Sequence, residues 1–201
     1  MLPNFDSEGY DTPHFDASYR SATTVWKVDP LQSEARIVGL AAALVSEGGV
    51  VIYPTETFYG LGGHPKLRPA VERIYRIKGR EFSKPLPLIA SSLEAVHQAV
   101  AEWPAMAERL SLAFWPGPLT LVLPAAPHIL PLIHGNTGSI AVRISSHPVA
   151  QALAAGTGGL LIATSANRAH RQAYQTPAEV PSELLSQVDG LLDTGPTGGD
   201  F

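Results

Sequence analysis

Short apolar runs, each followed at once by a proline, a glycine or a polar cluster, restrict the folds that this sequence can adopt. The clearest run is Val50-Val51-Ile52-Tyr53, which is stopped by Pro54. A continuous apolar run of this length predicts a strand that is buried on both faces. Similar runs predict further strands at 24–28, 86–90, 119–123, 140–144 and 160–164.

Segments with helical spacing of apolar residues lie between most of these runs. Asp29 as N-cap and Pro30 at the first helical position predict the start of one helix, which Gly48-Gly49 ends. Further helices are predicted at 69–78, 93–100, 104–114 and 148–155. Strands that alternate with helices predict an α/β domain. Since some adjacent strands lack a helical crossover, we expect a twisted, open, mixed sheet with helices on its faces.

The length of 201 residues favours a single domain, which we place at 23–201. Residues 1–22 mix Pro, Gly, Ser and Asp without periodicity, so we expect a poorly ordered N-terminal arm there. This segment has acidic residues where a targeting signal would have a basic region, and no window approaches the length of an apolar membrane span. We therefore expect no membrane association and a cytoplasmic location.

The distribution of charge suggests a phosphate-bearing ligand more than a general attraction to polyanions. The net charge is -4, yet seven of the 14 Lys and Arg residues fall within 66–84. A solvated helix face explains this concentration equally well. With no cysteine, disulfides and thiolate chemistry are excluded, and the histidines are scattered singly, so we predict no protein-borne metal site.

Three polar clusters follow predicted strands or helices: residues 54–62, the Lys78-Gly79-Arg80 triplet, and Ser165-Ala166-Asn167. In open α/β sheets the loops beyond strand ends bind ligands, although hydroxyls at such places also form ordinary turns and caps. No Rossmann fingerprint or phosphate loop is present, so a nucleotide would be bound by other means. Lys78 and Arg80 are candidates, because an ammonium and a guanidinium stabilise phosphate oxygens.

In this order, the clusters resemble the YrdC-like family, the threonylcarbamoyl-AMP synthases. The resemblance extends from about Val50 to Val180 and includes a Lys-x-Arg pair followed far downstream by Ser-x-Asn. Its other motifs are Lys84-Pro85-Leu86, Phe114-Trp115-Pro116-Gly117-Pro118-Leu119-Thr120, Ala141-Val142-Arg143 and His147-Pro148. The chain departs from the family pattern at Arg168-Ala169-His170-Arg171, where the family usually has a small pair of residues.

The resemblance implies a nucleotidyltransferase that uses ATP, L-threonine and bicarbonate and releases pyrophosphate. The product, threonylcarbamoyl-AMP, would pass to tRNA-threonylcarbamoyl transfer proteins for modification of tRNA. Mg²⁺ would be bound mainly by the phosphates of ATP.

The resemblance also assigns roles to residues by their position in the motifs. Thr57 and Arg143 match residues that hold threonine, although Arg143 could instead form a structural salt bridge. Glu56 could act as a general base or point to solvent, and we do not include it. The catalytic candidates are Lys78, Arg80, Ser165 and Asn167, and the ATP-binding candidates are Arg80, Lys84, Ser139, Ser165 and Asn167.

Two other functions remain open from the sequence. A non-catalytic relative could bind nucleotide or RNA, including double-stranded RNA or tRNA, through the basic segment Lys66 to Lys84. The aromatic residues expected of a single-strand RNA platform are few there. The second alternative is a carbamoyl-adenylate chemistry on another substrate, as in the related domain of hydrogenase maturation factors.

Overall fold

The apolar runs form strands that divide into two mixed sheets. A computed structural model describes residues 23–29, 35–169 and 171–198. The strands are β1 (Thr24–Lys27), β2 (Val51–Pro54), β3 (Tyr59–Gly62), β4 (Leu88–Ala90), β5 (Leu121–Pro124), β6 (Ser139–Arg143), β7 (Leu160–Ile162), β8 (Thr164–Ser165) and β9 (Gly190–Asp193). The five-stranded sheet has the order β1-β9-β2-β3-β8 and the four-stranded sheet the order β5-β6-β4-β7.

The predicted helices are present with small changes at their ends. They are α1 (Ala35–Ser46), α2 (Arg68–Lys78), α3 (Leu93–Ala99), α4 (Ala105–Phe114) and α6 (Pro148–Gly156), and the short helices α5 (Pro131–His134) and α7 (Ser182–Leu185) were not predicted. Apolar residues of α1 and α6 pack together on one side of the sheets. A larger apolar cluster, which includes α2 and the inner face of β6, fills the other side. No helix in the described part of the chain is both long and apolar enough to span a bilayer.

The mixed α/β class is confirmed, but the strands form two sheets where we expected one. The predicted strand at 160–164 divides at Ala163: β7 pairs with β4, and β8 pairs with β3. At the division, the Ala163 N–H donates to the Pro87 carbonyl at 2.8 Å, and the Ile162 N–H donates to the Gly63 carbonyl at 3.1 Å. Because its backbone bonds turn to different partners within a few residues, the chain crosses from one sheet to the other here.

A Gly-rich segment that we interpreted as a loop is strand β3, which forms an antiparallel hairpin with β2. Its glycines make room for an aromatic ring of β2. A Cβ atom at Gly62 would lie 2.6 Å from Tyr53 Cε1 and 3.1 Å from the Ile162 carbonyl oxygen. The Tyr53 hydroxyl itself donates to that oxygen at 3.0 Å. The glycine therefore permits the close contact between the hairpin and β7.

Some sequence predictions fall outside the described residues. These are the poorly ordered arm at 1–22 and the helix start at Pro30, since the described part of α1 begins at Ala35. Both stay predictions.

Candidate functional site

The Lys78 ammonium lies in a cage of oxygen atoms from residues 165–167. Lys78 is 3% exposed. Its Nζ donates to the Ser165 carbonyl at 2.6 Å, the Asn167 carbonyl at 2.9 Å and Asn167 Oδ1 at 3.0 Å. Ser165 Oγ lies at 3.5 Å. The structure thus brings together three of the four predicted catalytic residues.

Two local features place these residues. Helix α2 ends because Gly79 adopts a left-handed conformation, with φ of 57°, and its N–H donates to the Arg76 carbonyl. Strand β8 pairs with β3, where Gly60 lies opposite Ser165. The Ala169 N–H donates to the Lys78 carbonyl at 2.9 Å, which ties the end of the helix to the segment after β8. The cage is therefore held through both backbones.

The side chains of Ser165 and Asn167 are largely occupied by bonds within the protein. The Ser165 hydroxyl donates to Asn167 Oδ1 at 2.5 Å. The Asn167 amide donates to the Arg171 carbonyl. These bonds agree with the turn that the sequence left open as an alternative role. A ligand could still use the acceptor lone pairs of Ser165 and the second amide proton of Asn167.

Burial and, to a smaller extent, the positive charge of Arg80 together lower the pKa of Lys78 to about 8. Because burial disfavours the charged form of Lys78, the surrounding oxygens are what stabilise the ammonium there.

Arg80 differs from Lys78 because part of its guanidinium has no partner. Its Nε is buried and has no hydrogen-bond partner within the described residues. Buried donors in proteins are nearly always bonded, so Arg80, whose charge acts on Lys78, has a donor that lacks an acceptor among the described residues. Arg80 is therefore the better candidate for direct phosphate contact.

Arg143 forms an ion pair with Glu56 across the two sheets. Its Nε donates to Glu56 Oε1 at 2.9 Å, and the side chains are 13% and 8% exposed. Within the described residues the guanidinium makes no other hydrogen bond, so both terminal nitrogens are unused. The structural ion pair considered from the sequence exists, and it leaves a two-pronged donor available. Glu56 does not point to solvent.

The second oxygen of Glu56 is also bonded. Oε2 accepts a hydrogen bond from the Ser145 hydroxyl. The Ser145 Oγ in turn accepts from the His147 N–H at 3.1 Å. His147 Nδ1 accepts the Val149 N–H and caps α6, and burial lowers the pKa of His147. The Glu56 carboxylate is thus held on both sides.

Thr57 lies in the turn between β2 and β3, beside buried Thr55. The two hydroxyl oxygens are 3.1 Å apart. Thr55 Oγ1 donates to the Phe58 carbonyl at 2.7 Å and fixes the turn. Gly198 packs against the other side, where a Cβ atom would lie 2.7 Å from the Thr57 carbonyl oxygen. Thr57 directly follows Glu56 in this turn, and Glu56 is the residue that pairs with Arg143.

The β2–β3 hairpin connects two cationic side chains, Arg143 and Lys78. The turn between β2 and β3 carries Glu56, which holds Arg143, and β3 pairs with β8, which carries Ser165. The Ala166 N–H also donates to the carbonyl of Tyr59, the first residue of β3, at 2.9 Å. A ligand with anionic groups at two ends fits this arrangement better than a single anion.

Two predicted ATP-binding residues are not bonded to this network. The Lys84 side chain is exposed, although its carbonyl accepts from the Tyr75 hydroxyl at 2.7 Å. Ser139 begins β6 and shares one face of that strand with Arg143, because alternate residues of a strand point the same way. Among the described residues, neither side chain forms a hydrogen bond with Lys78, Ser165 or Asn167.

The basic segment is less available for RNA than its composition indicated. Arg73 donates to both carboxylate oxygens of Asp189, at 2.5 and 3.0 Å, and to the Gln187 carbonyl. Arg68 pairs with Glu72, and Lys78 is buried. The exposed cations that remain are Lys66, Arg76 and Lys84.

A cavity of about 570 Å³ adjoins the cage on the side where the chain departs from the family pattern. Arg168, which lines it, pairs with Glu183 of α7. The other lining residues are Arg171, Gln172, Tyr174, Pro181 and Leu184. His170 lies outside the described residues. Within the described residues, no group of three or more His, Cys, Asp or Glu side chains could hold a metal ion.

The fold and the site define a class of protein: a mixed α/β domain whose cations and hydroxyl groups are arranged for an anionic ligand. The Sua5/YciO/YrdC family model, described as "Telomere recombination", matches residues 43–200. The chain belongs to this family, and the resemblance seen in the sequence is confirmed.

Named relatives support this assignment. The chain is 40% identical over 159 residues to a threonylcarbamoyl-AMP synthase of Halorhodospira halophila, covering 79% of this chain and 83% of the relative. It is 39% identical over 155 residues to that of Nitrosococcus oceani, covering 77% and 84%. The structure of P. abyssi Sua5 complexed with L-threonine matches with a TM-score of 0.81 and 32% identity. That match covers 88% of this chain and 51% of Sua5, so the chain spans about half of that protein.

Sequence reasoning missed the part played by Glu56 and Ser145. Glu56 alternates with two threonines, which left its direction undecided. Its partner Arg143 is 87 residues away in the sequence, and no local pattern connects them.

Proposed function

We propose that this chain is a threonylcarbamoyl-AMP synthase that acts in the modification of tRNA. The amine of L-threonine forms an N–C bond to the carbon of bicarbonate, a C–O bond breaks and water leaves, which gives N-carboxy-threonine. Its new carboxylate attacks the α-phosphorus of ATP. A P–O bond forms to this carboxylate, the bond to the β-phosphate oxygen breaks, and pyrophosphate leaves. The product is a mixed anhydride that retains the AMP group.

One observation carries the proposal: Arg80, which follows the caged Lys78, and Arg143, which Glu56 of the β2–β3 turn holds, each have unused donors among the described residues. Arg80 has a buried, unbonded Nε, and Arg143 has two unbonded terminal nitrogens within the described residues. The reaction joins a nucleoside triphosphate to an amino acid, so it needs cations for phosphate and for a carboxylate at once. The synthase names of the relatives support the same conclusion.

The roles follow from the contacts of each residue. Arg80 neutralises charge on the triphosphate as the pyrophosphate leaves. Lys78 holds Ser165 and Asn167 in place, and through the cage it adds positive charge behind them. Lys84 and Ser139 belong to the ATP side in this proposal by their positions in the family motifs, and no contact among the described residues joins either side chain to Lys78.

Arg143 binds the threonine carboxylate with its two terminal nitrogens, a geometry that a planar guanidinium favours. The Thr57 hydroxyl contacts the threonine substrate. Mg²⁺ is held by the phosphates and supplies further charge neutralisation. We place the reaction in the cytoplasm, and the adenylate passes to proteins that transfer the threonylcarbamoyl group to tRNA.

The RNA-binding alternative has less support, since Arg73 and Lys78 of the basic segment are engaged inside the protein. The test is pyrophosphate release from ATP, with threonine and bicarbonate each added or omitted, together with mass spectrometry of the product. Release that needs both substrates is expected. Release without threonine would favour a different carbamoyl acceptor, and no release would favour a binding protein.

A further inference from the structure

The Glu56–Arg143 ion pair fixes the direction of the Arg143 guanidinium. Glu56 accepts from Nε alone, at 2.9 Å, although a carboxylate facing a guanidinium often takes two bonds. Contact at Nε occupies the side of the guanidinium, so its end, where the two terminal nitrogens donate together, is left unbonded among the described residues. In a pair this buried, neither side chain rotates freely.

The carboxylate that holds Arg143 is itself held by Ser145. The hydroxyl of Ser145 donates to Glu56 Oε2. The Ser145 carbonyl accepts from the Gln151 side-chain amide of α6 at 2.7 Å, and its Oγ accepts the His147 N–H. With both oxygens engaged, Glu56 is poorly suited to remove a proton from a substrate.

We propose that Glu56, held by Ser145, is a positioning residue that orients Arg143 to bind the carboxylate of the amino-acid substrate with both terminal nitrogens. This inference rests on the proposed function, since it concerns the threonine side of that site. Glu56 touches no reacting atom and acts through Arg143.

The experiment compares Glu56→Ala, Glu56→Gln and Ser145→Ala with the unchanged chain. The measurements are the KM for L-threonine, the KM for ATP and kcat, from pyrophosphate release, and the Kd for L-threonine by calorimetry. Glu56→Ala should raise the threonine KM and Kd roughly tenfold or more, as expected for loss of one coupled contact. The ATP KM should change less than about twofold, within the additivity of distant sites.

Glu56→Gln serves as the conservative variant, because its amide oxygen can still accept from Nε. Its threonine KM should lie between those of the unchanged chain and Glu56→Ala. If Glu56→Ala fails to fold, this variant and Ser145→Ala provide the test. Glu72→Ala is a matched control, since it removes a surface ion pair with Arg68 and should leave every parameter unchanged.

A double-mutant cycle separates positioning from general support of the fold. In an Arg143→Lys background, Glu56→Ala should have little further effect on the threonine KM, because the guanidinium that Glu56 orients is absent. Additive effects, or equal increases in both KM values, would overturn the inference. Threonine-dependent release by the unchanged chain with an unaltered threonine KM in Glu56→Ala would also overturn it.

If the unchanged chain releases no pyrophosphate, the proposed function fails. A calorimetric threonine Kd unaffected by Glu56→Ala then overturns the positioning role, and a weakened one supports it.

Discussion

The Lys78 ammonium lies 2.6 Å from the carbonyl oxygen of Ser165, although 87 positions separate the two residues in the sequence. The Lys-x-Arg pair and the Ser-x-Asn motif therefore meet at one place. The contact is made to backbone oxygens as well as to side chains, so Lys78 shapes the turn that it touches. Arg80, two residues further on, has a donor without an acceptor in the part of the chain that the structure describes.

Replacing Lys78 should destabilise the fold. Lys78→Met keeps the aliphatic length but leaves the buried carbonyls of Ser165 and Asn167 without their donor, which costs about 2 kcal/mol or more. Urea unfolding followed by circular dichroism measures the change. Lys84→Met is the control, because the Lys84 side chain is exposed and the change should stay within about 0.5 kcal/mol. Equal stability of the two variants would show that the cage contributes nothing.

Replacing Arg80 should reduce catalysis with much less effect on stability. In the proposed function the charge of Arg80 faces the leaving pyrophosphate, so Arg80→Gln should lower kcat by roughly 10²-fold. Its unfolding midpoint should fall less than that of Lys78→Met, since its Nε has no partner to lose among the described residues. Single-turnover pyrophosphate release gives the rate. A rate equal to that of the unchanged chain would remove Arg80 from the reaction.

The lowered pKa of Lys78 predicts how stability depends on pH. The folded chain releases the Lys78 proton near pH 8, whereas the unfolded chain keeps it up to a pKa of about 10.4. Between these values the unfolded state binds more protons, so stability rises with pH, by at most about 1.4 kcal/mol per pH unit. Below pH 8 both states are protonated and the contribution is constant.

The comparison of the unchanged chain with Lys78→Met isolates this contribution. Other groups that titrate in the same range are common to both proteins and cancel. The difference in unfolding free energy, measured in urea at pH 7.5 and 9.5, should shift in favour of the unchanged chain at the higher pH. A difference that stays constant or shifts the other way contradicts a lowered pKa.

Adding a methyl group at Gly62 should destabilise the hairpin. In Gly62→Ala the new Cβ would lie 2.6 Å from Tyr53 Cε1, well inside normal contact distance. The Tyr53 ring is fully buried and cannot move away freely, so we expect a loss of about 1–3 kcal/mol, as for other overpacked sites. Thermal unfolding measures it. Gly39→Ala, in open space on α1, should be neutral or stabilising.

The sequence predicted most of the buried strands because each of these is a continuous apolar run, as in Val50 to Tyr53. It missed β9, which has only two apolar side chains between Gly190 and Asp193. It failed at β3, where the residues that permit the strand are glycines and the ring that needs the space belongs to β2. It also failed at the division near Ala163. That division depends on which distant strand each backbone group bonds to, and a single run of apolar residues carries no such information.

The site was predicted in part. The resemblance gave Lys78, Ser165 and Asn167, and these are in contact. It gave Arg143 without Glu56, because an ion pair between distant residues has no local signature. The distinct positions of Lys78 and Arg80, one buried in a cage and one with an unused donor, depend on the left-handed turn at Gly79 and require the structure.

The passage of the chain between sheets at Ala163 has a consequence for affinity. Ser165 belongs to the five-stranded sheet and Arg143 to the four-stranded sheet. A ligand that contacts both residues must fix the distance between the two sheets. Relative motion of the sheets that is suppressed on binding adds an entropic cost. The stiffness of residues 162–164 therefore helps set how tightly the whole ligand is bound, although none of them needs to touch it.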